Sequence, residues 1–297
     1  MKALKWIGIV LLSLVIIIAA FAFIQIKQAE NRLTKTYTFE PIPLTIKDDS
    51  VTLNIGKKWV KSQCAECHGD DLGGKMFLND PAIGTLYAPN LTKGEGGLSY
   101  YSDKDWLMAL RHGVSSTGRA LMIMPSMEYT QMYKEDIMGI ISYIKTVKPV
   151  DRLNGVTEFK PFAKFLLAMG AFGDVFGVEK IDHKAPVPDR PESETVLDRG
   201  AYLSIIGGCT YCHGKELNGK STGDPASPPA SNLTPGGNLG NWNYDDFVSF
   251  GQTGKTKEGK EINPKFMPWK AMGRLPADEL EALFTYLKSL EAKASAI

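Results

Sequence analysis

The chain is poor in cysteine and histidine, with four of each among its 297 residues. So few cysteines in so long a chain do not build the disulfide framework of a small secreted domain. The chain also lacks an excess of charge, since its formal net charge at pH 7 is +1. That balance excludes a strongly basic surface of the kind that binds nucleic acids. The hydrophobic content of 43 % is that of an ordinary globular protein with one to three domains.

One stretch near the N-terminus lacks charge altogether. The run WIGIVLLSLVIIIAAFAFIQI, residues 6–26, is long enough to cross a bilayer as a single helix. Ala20, Phe21 and Ala22 resemble the cleavage site of a signal peptide, but the apolar run continues past them. We therefore predict an uncleaved membrane anchor at residues 1–27. Basic residues flank the run on both sides, so the positive-inside rule does not orient it.

All four cysteines lie in two copies of one phrase. CAECHGDDLGGK, which begins at Cys64, aligns without a gap with CTYCHGKELNGK, which begins at Cys209. Two further segments recur in the same order, an Asn-Leu-Thr phrase and a Met-Pro pair followed by a helical pattern. They begin at Asn90 and Asn232, and at Met124 and Met267, respectively. A chain that repeats itself in this way is built from two copies of one structural unit.

The repeat predicts an all-α fold of two tandem domains behind the anchor. Each copy closes with apolar residues at i, i+3, i+4 and i+7, one face of a helix that begins with acidic residues. We place a tether at 28–50, the first unit at 51–150, a connector at 151–193 and the second unit at 194–297. The first part of the connector, FKPFAKFLLAMGAFGDVFGVEK, is apolar. We expect it to cover the seam between the units, with a docking face for a partner as the alternative.

The cysteine phrases contain Cys-x-x-Cys-His, the attachment signature of c-type haem. Each cysteine sulfur adds to a vinyl group of the porphyrin, and the adjacent histidine is then held beneath the iron as an axial ligand. The two copies therefore predict two covalently bound haem c groups. The first would be held by Cys64, Cys67 and His68, and the second by Cys209, Cys212 and His213.

A thioredoxin-like redox pair and a structural zinc site are competing interpretations of these motifs. A redox pair is typical of a βαβ context, and neither unit shows the alternation of a strand. A structural zinc site needs four ligands that enclose one ion. A zinc site pooled from both phrases would not explain two complete repeated units. We therefore predict haem attachment.

The repeat also selects a candidate for the sixth ligand of each iron. Met124 and Met267 occupy matching positions and each precedes a proline, whereas the neighbouring methionines match other residue types. Proline fixes the backbone and lacks an N–H, so such a turn can hold a thioether sulfur toward iron. The competing interpretation is a pair of methionines that fill gaps in the core. Histidine–methionine ligation raises the haem potential, as in electron carriers.

The two Met-Pro pairs differ at the next residue, which is Ser126 in the first unit and Trp269 in the second. A tryptophan beside the methionine would shield that edge of the haem from water. A lower local dielectric disfavours the ferric centre, which carries one more positive charge than the ferrous centre. We therefore predict the higher potential for the second haem.

Two histidines lie outside the cysteine phrases. His112 matches Thr253 in the second unit, and His183 lies in the connector, so neither is a ligand shared by both units. We expect His112 to be structural or to form a hydrogen bond at the haem edge. We expect His183 to be solvated.

Both units resemble class I cytochrome c domains, and residues 51–290 are similar to membrane-associated dihaem c-type cytochromes of bacteria. That group includes the cytochrome subunits of periplasmic alcohol and sugar dehydrogenases. The resemblance rests on the two Cys-x-x-Cys-His motifs, on Asn90-Leu91-Thr92 and Asn232-Leu233-Thr234, and on Met124-Pro125 and Met267-Pro268-Trp269. It implies a redox partner, such as a dehydrogenase, another cytochrome or a terminal oxidase.

These observations predict a dihaem cytochrome c that a single helix anchors in the inner membrane. Its haem domains would lie on the periplasmic side, where haem c is attached, and would carry single electrons from a periplasmic or membrane donor to an acceptor. The alternative is a dihaem redox enzyme, such as a peroxidase or a sulfur-compound oxidoreductase. Such an enzyme would need a sixth iron position that is open or easily vacated.

Overall fold

The chain begins with one long helix. The computed structural model describes residues 2–40, 42–173, 175–221 and 227–297. Helix α1 covers Lys2–Thr34 and so continues past the predicted end of the anchor at residue 27. Among the described residues it is the one helix long and apolar enough to cross a membrane, and its apolar stretch is not buried against the protein.

Both units contain helices in the same order. The first has α2 (Ser50–Trp59), α3 (Ala65–His68), α4 (Asp103–Leu107), α5 (Ser126–Tyr129) and α6 (Lys134–Thr146). The connector carries α7 (Pro161–Ala168) and a 3₁₀ turn at Gly177–Glu179. The second unit has α8 (Val196–Ile206), α9 (Cys209–His213), a 3₁₀ turn at Asn238–Asn241, α10 (Tyr244–Thr253), α11 (Trp269–Gly273) and α12 (Ala277–Ser289). In the first unit, π-helical turns at Val60–Cys64 and Met108–His112 extend α2 and α4.

The middle helices begin with the same local signal. Ser102 accepts a hydrogen bond from the backbone N–H of Asp105, whose carboxylate accepts one from the backbone N–H of Ser102. Asn243 and Asp246 form the same reciprocal pair at the start of α10. Each pair satisfies two of the N–H groups that a helix N-terminus leaves without an intrahelical partner.

The prediction of an all-α fold is only partly right, because the first unit carries a small antiparallel sheet. Its strands are β1 (Lys75–Asp80), β2 (Gly84–Ala88) and β3 (Glu158–Phe159), in that spatial order. The side chain of Asp80 accepts hydrogen bonds from the backbone N–H groups of Ala82 and Ile83, which closes the turn between β1 and β2. A register shift between Met76 and Leu78 interrupts the alternation of β1. The strands are short and partly exposed, so their sequence shows no period of two.

Each unit has its first and last long helices crossed at a glycine. A Cβ on Gly56 of α2 would lie 1.9 Å from the carbonyl oxygen of Gly139 in α6. A Cβ on Gly200 of α8 would lie 2.2 Å from the carbonyl oxygen of Ala282 in α12. Only glycine permits so close an approach of two backbones. The crossing therefore fixes the frame that supports the cysteine phrase in each unit.

One apolar core spans both units, and the connector closes it in an unexpected way. The second part of the connector reaches the core, where Val187 is buried and the carbonyl of Pro188 accepts a hydrogen bond from the backbone N–H of Lys134. The first part lies elsewhere, because β3 pairs with β2 and α7 packs against α1. The expectation that the first part covers the seam is therefore wrong.

Candidate functional site

Each cysteine phrase ends in a short helix whose last residue is the motif histidine. The next residue is Gly69 in the first unit, with φ of 85°, and Gly214 in the second, with φ of 83°. Glycine adopts this positive φ without a steric penalty. The chain then turns back, and the carbonyls of His68 and His213 accept hydrogen bonds from the backbone N–H groups of Gly74 and Gly219, six residues later in each case. The same turn thus closes both motifs.

Each motif histidine is oriented by a hydrogen bond between its Nδ1 and a backbone carbonyl. Nδ1 of His68 lies 2.9 Å from the carbonyl oxygen of Pro89, and Nδ1 of His213 lies 2.7 Å from that of Ser231. A carbonyl only accepts, so each Nδ1 carries the proton and each Nε2 keeps its lone pair. Burial lowers the pKa of both imidazoles, which keeps them neutral. A neutral histidine whose Nδ1–H is held by a backbone carbonyl is the arrangement of an axial ligand to iron.

None of the four cysteines is joined to another in a disulfide bond. Burial raises the pKa of the Cys64 thiol to about 12 and that of the Cys209 thiol to about 11, so both are neutral. Among the described residues, no three His, Cys, Asp or Glu side chains are grouped as the ligands of one metal ion would be.

A leucine with positive φ locks the loop after each motif. Leu72 has φ of 57° and Leu217 has φ of 56°, a region that branched side chains seldom occupy. Their carbonyls accept hydrogen bonds from the backbone N–H groups of Leu91, at 2.8 Å, and Leu233, at 2.7 Å. These bonds place the Asn-Leu-Thr phrase beside the histidine in each unit.

The asparagine of each Asn-Leu-Thr phrase is buried and fully engaged. Oδ1 of Asn90 accepts hydrogen bonds from the N–H and the hydroxyl of Thr92, while its Nδ2 donates to the carbonyl of Val150 at 2.7 Å. Asn232 repeats this with Thr234 and with the carbonyl of Lys293 at 2.8 Å. The pair thus ties the loop on the histidine side to the chain that follows the closing helix.

The Met-Pro pairs form the same tight turn. Pro125 has φ of −77° and ψ of 48°, and Pro268 has φ of −77° and ψ of 58°. The carbonyl of each methionine accepts a hydrogen bond from the N–H two residues later, at Ser126 and at Trp269, both at 2.8 Å. This is an inverse γ-turn centred on proline, a residue whose missing N–H costs nothing there. Met124 and Met267 are therefore presented identically.

Packing distinguishes Met124 and Met267 from Met122, the methionine two residues before Met124. Met124 and Met267 pack against the core that contains Cys64 and Cys209. Met122 instead belongs to a cluster around α1. The structure therefore brings the sequence-predicted Met124 to the same core as the cysteine phrase and places its neighbour elsewhere.

The residue after each Met-Pro pair meets a glycine with positive φ. A Cβ on Gly254 would lie 2.3 Å from the ring of Trp269, whose Nε1 donates to the carbonyl of Ile262. The smaller Ser126 lies opposite Gly113 and donates through its hydroxyl to a backbone carbonyl. The two units thus use one position for side chains of very different size.

Comparison with known families identifies the family of the repeated unit. The family profile described as cytochrome c matches the chain twice, at residues 53–148 and 197–291. The chain belongs to the cytochrome c family. One match falls in each predicted unit, and the resemblance seen in the sequence is confirmed. Cytochrome c domains hold haem c covalently and transfer electrons.

The relatives of this cytochrome are subunits of dehydrogenases. It is 28 % identical over 256 residues to the fructose dehydrogenase cytochrome subunit of Gluconobacter japonicus, covering 79 % of this chain and 51 % of that protein. It is 30 % identical over 258 residues to the gluconate 2-dehydrogenase cytochrome c subunit of Pantoea cypripedii, covering 77 % and 57 %. It is 26 % identical over 257 residues to the cytochrome c subunit of the alcohol dehydrogenase (quinone) of Gluconobacter oxydans, covering 78 % and 53 %. The chain spans about half the length of these relatives.

Two buried acids at the seam of the cytochrome were not predicted as functional residues. Asp136 and Glu279 occupy the same position of the repeat and are 0 % and 6 % exposed. Asp136 accepts a hydrogen bond from the hydroxyl of Tyr202 in the other unit. Glu279 accepts one from Lys58 in the other unit and a pair from Arg199. The sequence suggested only favourable charges at a helix N-terminus, because partners so distant in the chain leave no local pattern.

The same seam brings the segments with the Cys-x-x-Cys-His motifs and the Met-Pro turns of the two units together. Helix α11, which follows the second Met-Pro turn, packs against residues 60–68 of the first cysteine phrase. Helix α5, which follows the first Met-Pro turn, packs against α8 of the second unit. Arg274 reinforces the first contact, because it forms ion pairs with Glu66 at 3.3 Å and Asp70 at 2.8 Å. The methionine side of one site thus faces the cysteine side of the other.

The two remaining histidines form a pair away from the cysteine phrases. Nδ1 of His112 lies 2.9 Å from Nδ1 of His183, and both rings stack on Phe39. Nε2 of His183 lies 2.8 Å from the carbonyl oxygen of Val178 and therefore donates to it. The expectation of a solvated His183 is wrong, because the fold brings the tether, the first unit and the connector together at this point.

Proposed function

We propose that this cytochrome is a membrane-anchored dihaem electron carrier. In each unit two cysteines would attach one haem covalently, and one histidine and one methionine would be the axial ligands of its iron. The first set is Cys64, Cys67, His68 and Met124, and the second is Cys209, Cys212, His213 and Met267. Haem iron cycles between the ferrous and ferric states and so moves one electron at a time, while the chain sets the potential and the docking surface.

The observation that carries this proposal is the duplicated pairing of an oriented histidine with a proline-centred methionine turn. In each unit the histidine keeps its Nε2 lone pair for iron, because a backbone carbonyl holds Nδ1. In each unit a methionine is presented toward the same core by an inverse γ-turn. Two protein ligands would fill the axial positions of each iron, which suits electron transfer rather than binding of a substrate.

The packing at the seam supports a route for electrons from one haem to the other. The methionine-side helix of each unit lies against the cysteine phrase or the preceding helix of the other unit. We infer that electrons enter the chain at one haem and leave at the other without a further carrier.

A dehydrogenase is the partner that the relatives favour. The matched proteins are cytochrome subunits of fructose, gluconate and alcohol dehydrogenases. Helix α1 would anchor the chain in the cytoplasmic membrane and place the haem units on its outer side, where haem c is attached. A dehydrogenase bound there would pass electrons to the cytochrome, which would deliver them to a further acceptor.

The number of haems and their ligation can be tested on the purified holoprotein. Intact mass should exceed that of the polypeptide by two haems, and the double variant Cys64→Ala, Cys67→Ala should lose one of them. The oxidised protein should show the charge-transfer band of methionine sulfur bound to ferric iron. A mass with a single haem would overturn the dihaem proposal. A high-spin haem without that band would favour the dihaem redox enzyme instead.

A further inference from the structure

Helix α7 in the connector packs against the part of α1 that is expected to lie in the membrane. The ring of Phe165 in α7 meets the ring of Phe21 in α1 edge to face, with centroids 6.3 Å apart. Phe21 belongs to the uncharged run that ends at Ile26. It lies five residues before that end, about 7.5 Å along the axis of an upright helix. Phe165 therefore contacts α1 within the apolar run and not beyond its end.

Polar and apolar contacts hold α7 and the turn after it against the outer end of α1. Lys164 forms an ion pair with Glu30 at 2.8 Å. Leu167 and Phe176 are buried in a cluster with Ala29, which is itself 1 % exposed. The position of α7 beside the membrane helix is thus set by packing on both sides of the expected boundary.

Three large apolar side chains of this segment are exposed. Phe162 is 54 % exposed, Met169 is 53 % exposed and Phe172, just after the helix, is 36 % exposed. Phe162 and Met169 are seven residues apart and share a helix face. Three large apolar side chains in an eleven-residue stretch, counted from 162 to 172, form an unusual surface for contact with water. Exposed apolar side chains also cover the part of α1 that α7 contacts, where Phe21 is 46 % and Ile24 is 52 % exposed.

We propose that the segment 161–172 is a second membrane contact. Phe162, Met169 and Phe172 insert into the interfacial layer of the bilayer, beside the point where α1 emerges. This proposal rests on the proposed membrane anchor. The molecule that these side chains contact is lipid, because α7 is held beside the apolar part of α1. An amphipathic helix that lies in the interface needs an apolar face of this kind. With two contacts, the haem units cannot turn freely about α1, so their docking face keeps one orientation.

The test places a photo-reactive side chain at chosen positions of the full-length holoprotein in phospholipid nanodiscs. p-Benzoylphenylalanine replaces Phe162 or Met169 in α7, Ile16 in α1 or Tyr100 in the first unit, which is 68 % exposed and serves as the aromatic control. We expect lipid adducts at positions 16, 162 and 169, with yields roughly tenfold above that at position 100. The haem spectrum verifies that each variant is folded.

The outcomes separate this inference from the anchor on which it rests. Adducts at position 16 without adducts at 162 and 169 would overturn the second contact and leave the anchor in place. The absence of adducts at position 16 would overturn both. Equal yields at 100 and 162 would also overturn the second contact, because lipid would then reach any exposed aromatic position.

A second variant gives a readout that is independent of cross-linking. Phe162→Ser with Met169→Ser removes the exposed apolar face and leaves the Phe165 contact with Phe21 intact. We expect the variant to stay in the membrane through α1, while the haem orientations in oriented membranes, measured by electron paramagnetic resonance, become broader than in the wild type. An unchanged orientation would overturn the proposal.

Discussion

Single residues in each unit are held in backbone conformations that most residue types avoid. Gly69 and Gly214 adopt positive φ directly after the histidines of the Cys-x-x-Cys-His motifs, and Leu72 and Leu217 do so three residues later. The prolines after Met124 and Met267 centre the turns that present the sulfurs. Because each of these backbone conformations occurs in both units, one unit serves as an internal control for a substitution in the other.

The role of Met267 can be separated from that of a nearby methionine. Met267→Ala should open the second haem, so that the ferrous protein binds carbon monoxide and the potential of that haem falls. Met272→Ala is the matched control, because this methionine packs against the same core near Gly251. If Met272→Ala opens the haem and Met267→Ala does not, the assignment of the ligand is wrong.

Trp269 should raise the potential of its haem relative to that of the first unit. Its ring packs against Gly254 and its indole N–H is held by a backbone carbonyl, so it excludes water from a fixed position. Trp269→Ser should lower one of the two midpoints in a redox titration and narrow the gap between them. Ser126→Ala in the first unit should leave the gap nearly unchanged. An unchanged gap in Trp269→Ser, with methionine ligation intact, would refute this role.

The buried imidazole pair predicts a pH dependence of stability. His183 uses its Nε2 proton for Val178, so its Nδ1 accepts from His112, whose buried Nε2 has no partner among the described residues. Burial, followed by the proximity of His183 and Arg111, lowers the pKa of His112 from 6.5 to about 4. The unfolded chain therefore binds a proton that the folded chain rejects. The contribution of His112 to stability is complete above pH 6.5 and is lost as the pH falls toward 4.

This dependence can be measured by thermal unfolding of the holoprotein between pH 7.5 and 5. His112→Asn should flatten the fall of the melting temperature across this range, because the variant no longer titrates there. Thr253→Asn changes the matching, exposed position of the second unit and should leave the profile as in the wild type. Parallel profiles for the wild type and His112→Asn would contradict the prediction.

At the scale of elements, the frame of each unit depends on two helices that cross at a glycine. The crossing of α2 with α6 and that of α8 with α12 bring backbone against backbone. A helix that carries the cysteine phrase is thereby locked to the closing helix. This packing, rather than intrinsic helix propensity, positions the motif, since most helix stability in proteins comes from tertiary packing.

A methyl group at the crossing should be poorly tolerated. Gly56→Ala would place a Cβ 1.9 Å from a backbone oxygen, so the helices must separate. We expect the free energy of unfolding of the holoprotein to fall by about 3 kcal/mol in a denaturant titration. Gly8→Ala is the control, because its Cβ would meet nothing within 4 Å. Equal stability of Gly56→Ala and the wild type would mean that the helices do not cross so closely.

At the scale of the whole molecule, the two units hold each other through reciprocal contacts. Tyr202 of the second unit binds Asp136 of the first, and Lys58 of the first binds Glu279 of the second. Burial by itself would raise the pKa of Glu279, but hydrogen bonds from Arg199 and Lys58 lower it. If the two units separated, Asp136 and Glu279 would lose partners that compensate their charge. Any other arrangement of the units is therefore less stable.

The seam can be probed by removing a single hydroxyl. Tyr202→Phe keeps the stacked ring pair with Tyr133 and removes the donor to Asp136. We expect a loss of about 2 kcal/mol in the free energy of unfolding, as for a hydrogen bond to a charged group. Asp136→Asn should be non-additive with it in a double-mutant cycle. Tyr286→Phe is the control within the second unit, and a loss as large as that of Tyr202→Phe would exclude a specific role of the seam.

The sequence alone showed the repeat and indicated the cytochrome c family, which the family match confirms, whereas the residues that attach the haems remain a prediction. Cys-x-x-Cys-His is a local signal, because the chemistry needs three adjacent groups on one turn of chain. The methionine ligands were predicted from register within the repeat and remain a prediction. The hairpin in the first unit was not predicted, because its strands are short and one carries a bulge.

Only the tertiary structure decided how the two units and the membrane helix meet. The partners of Asp136, Glu279 and His183 lie far away in the chain, and no local period records such contacts. The apolar first part of the connector shows the same limit. Its apolar composition predicted that it would be buried against another surface. Whether that surface was the seam or α1 depended on which apolar surface the folded units left exposed. Local patterns determine what each segment is, whereas long-range packing determines what it touches.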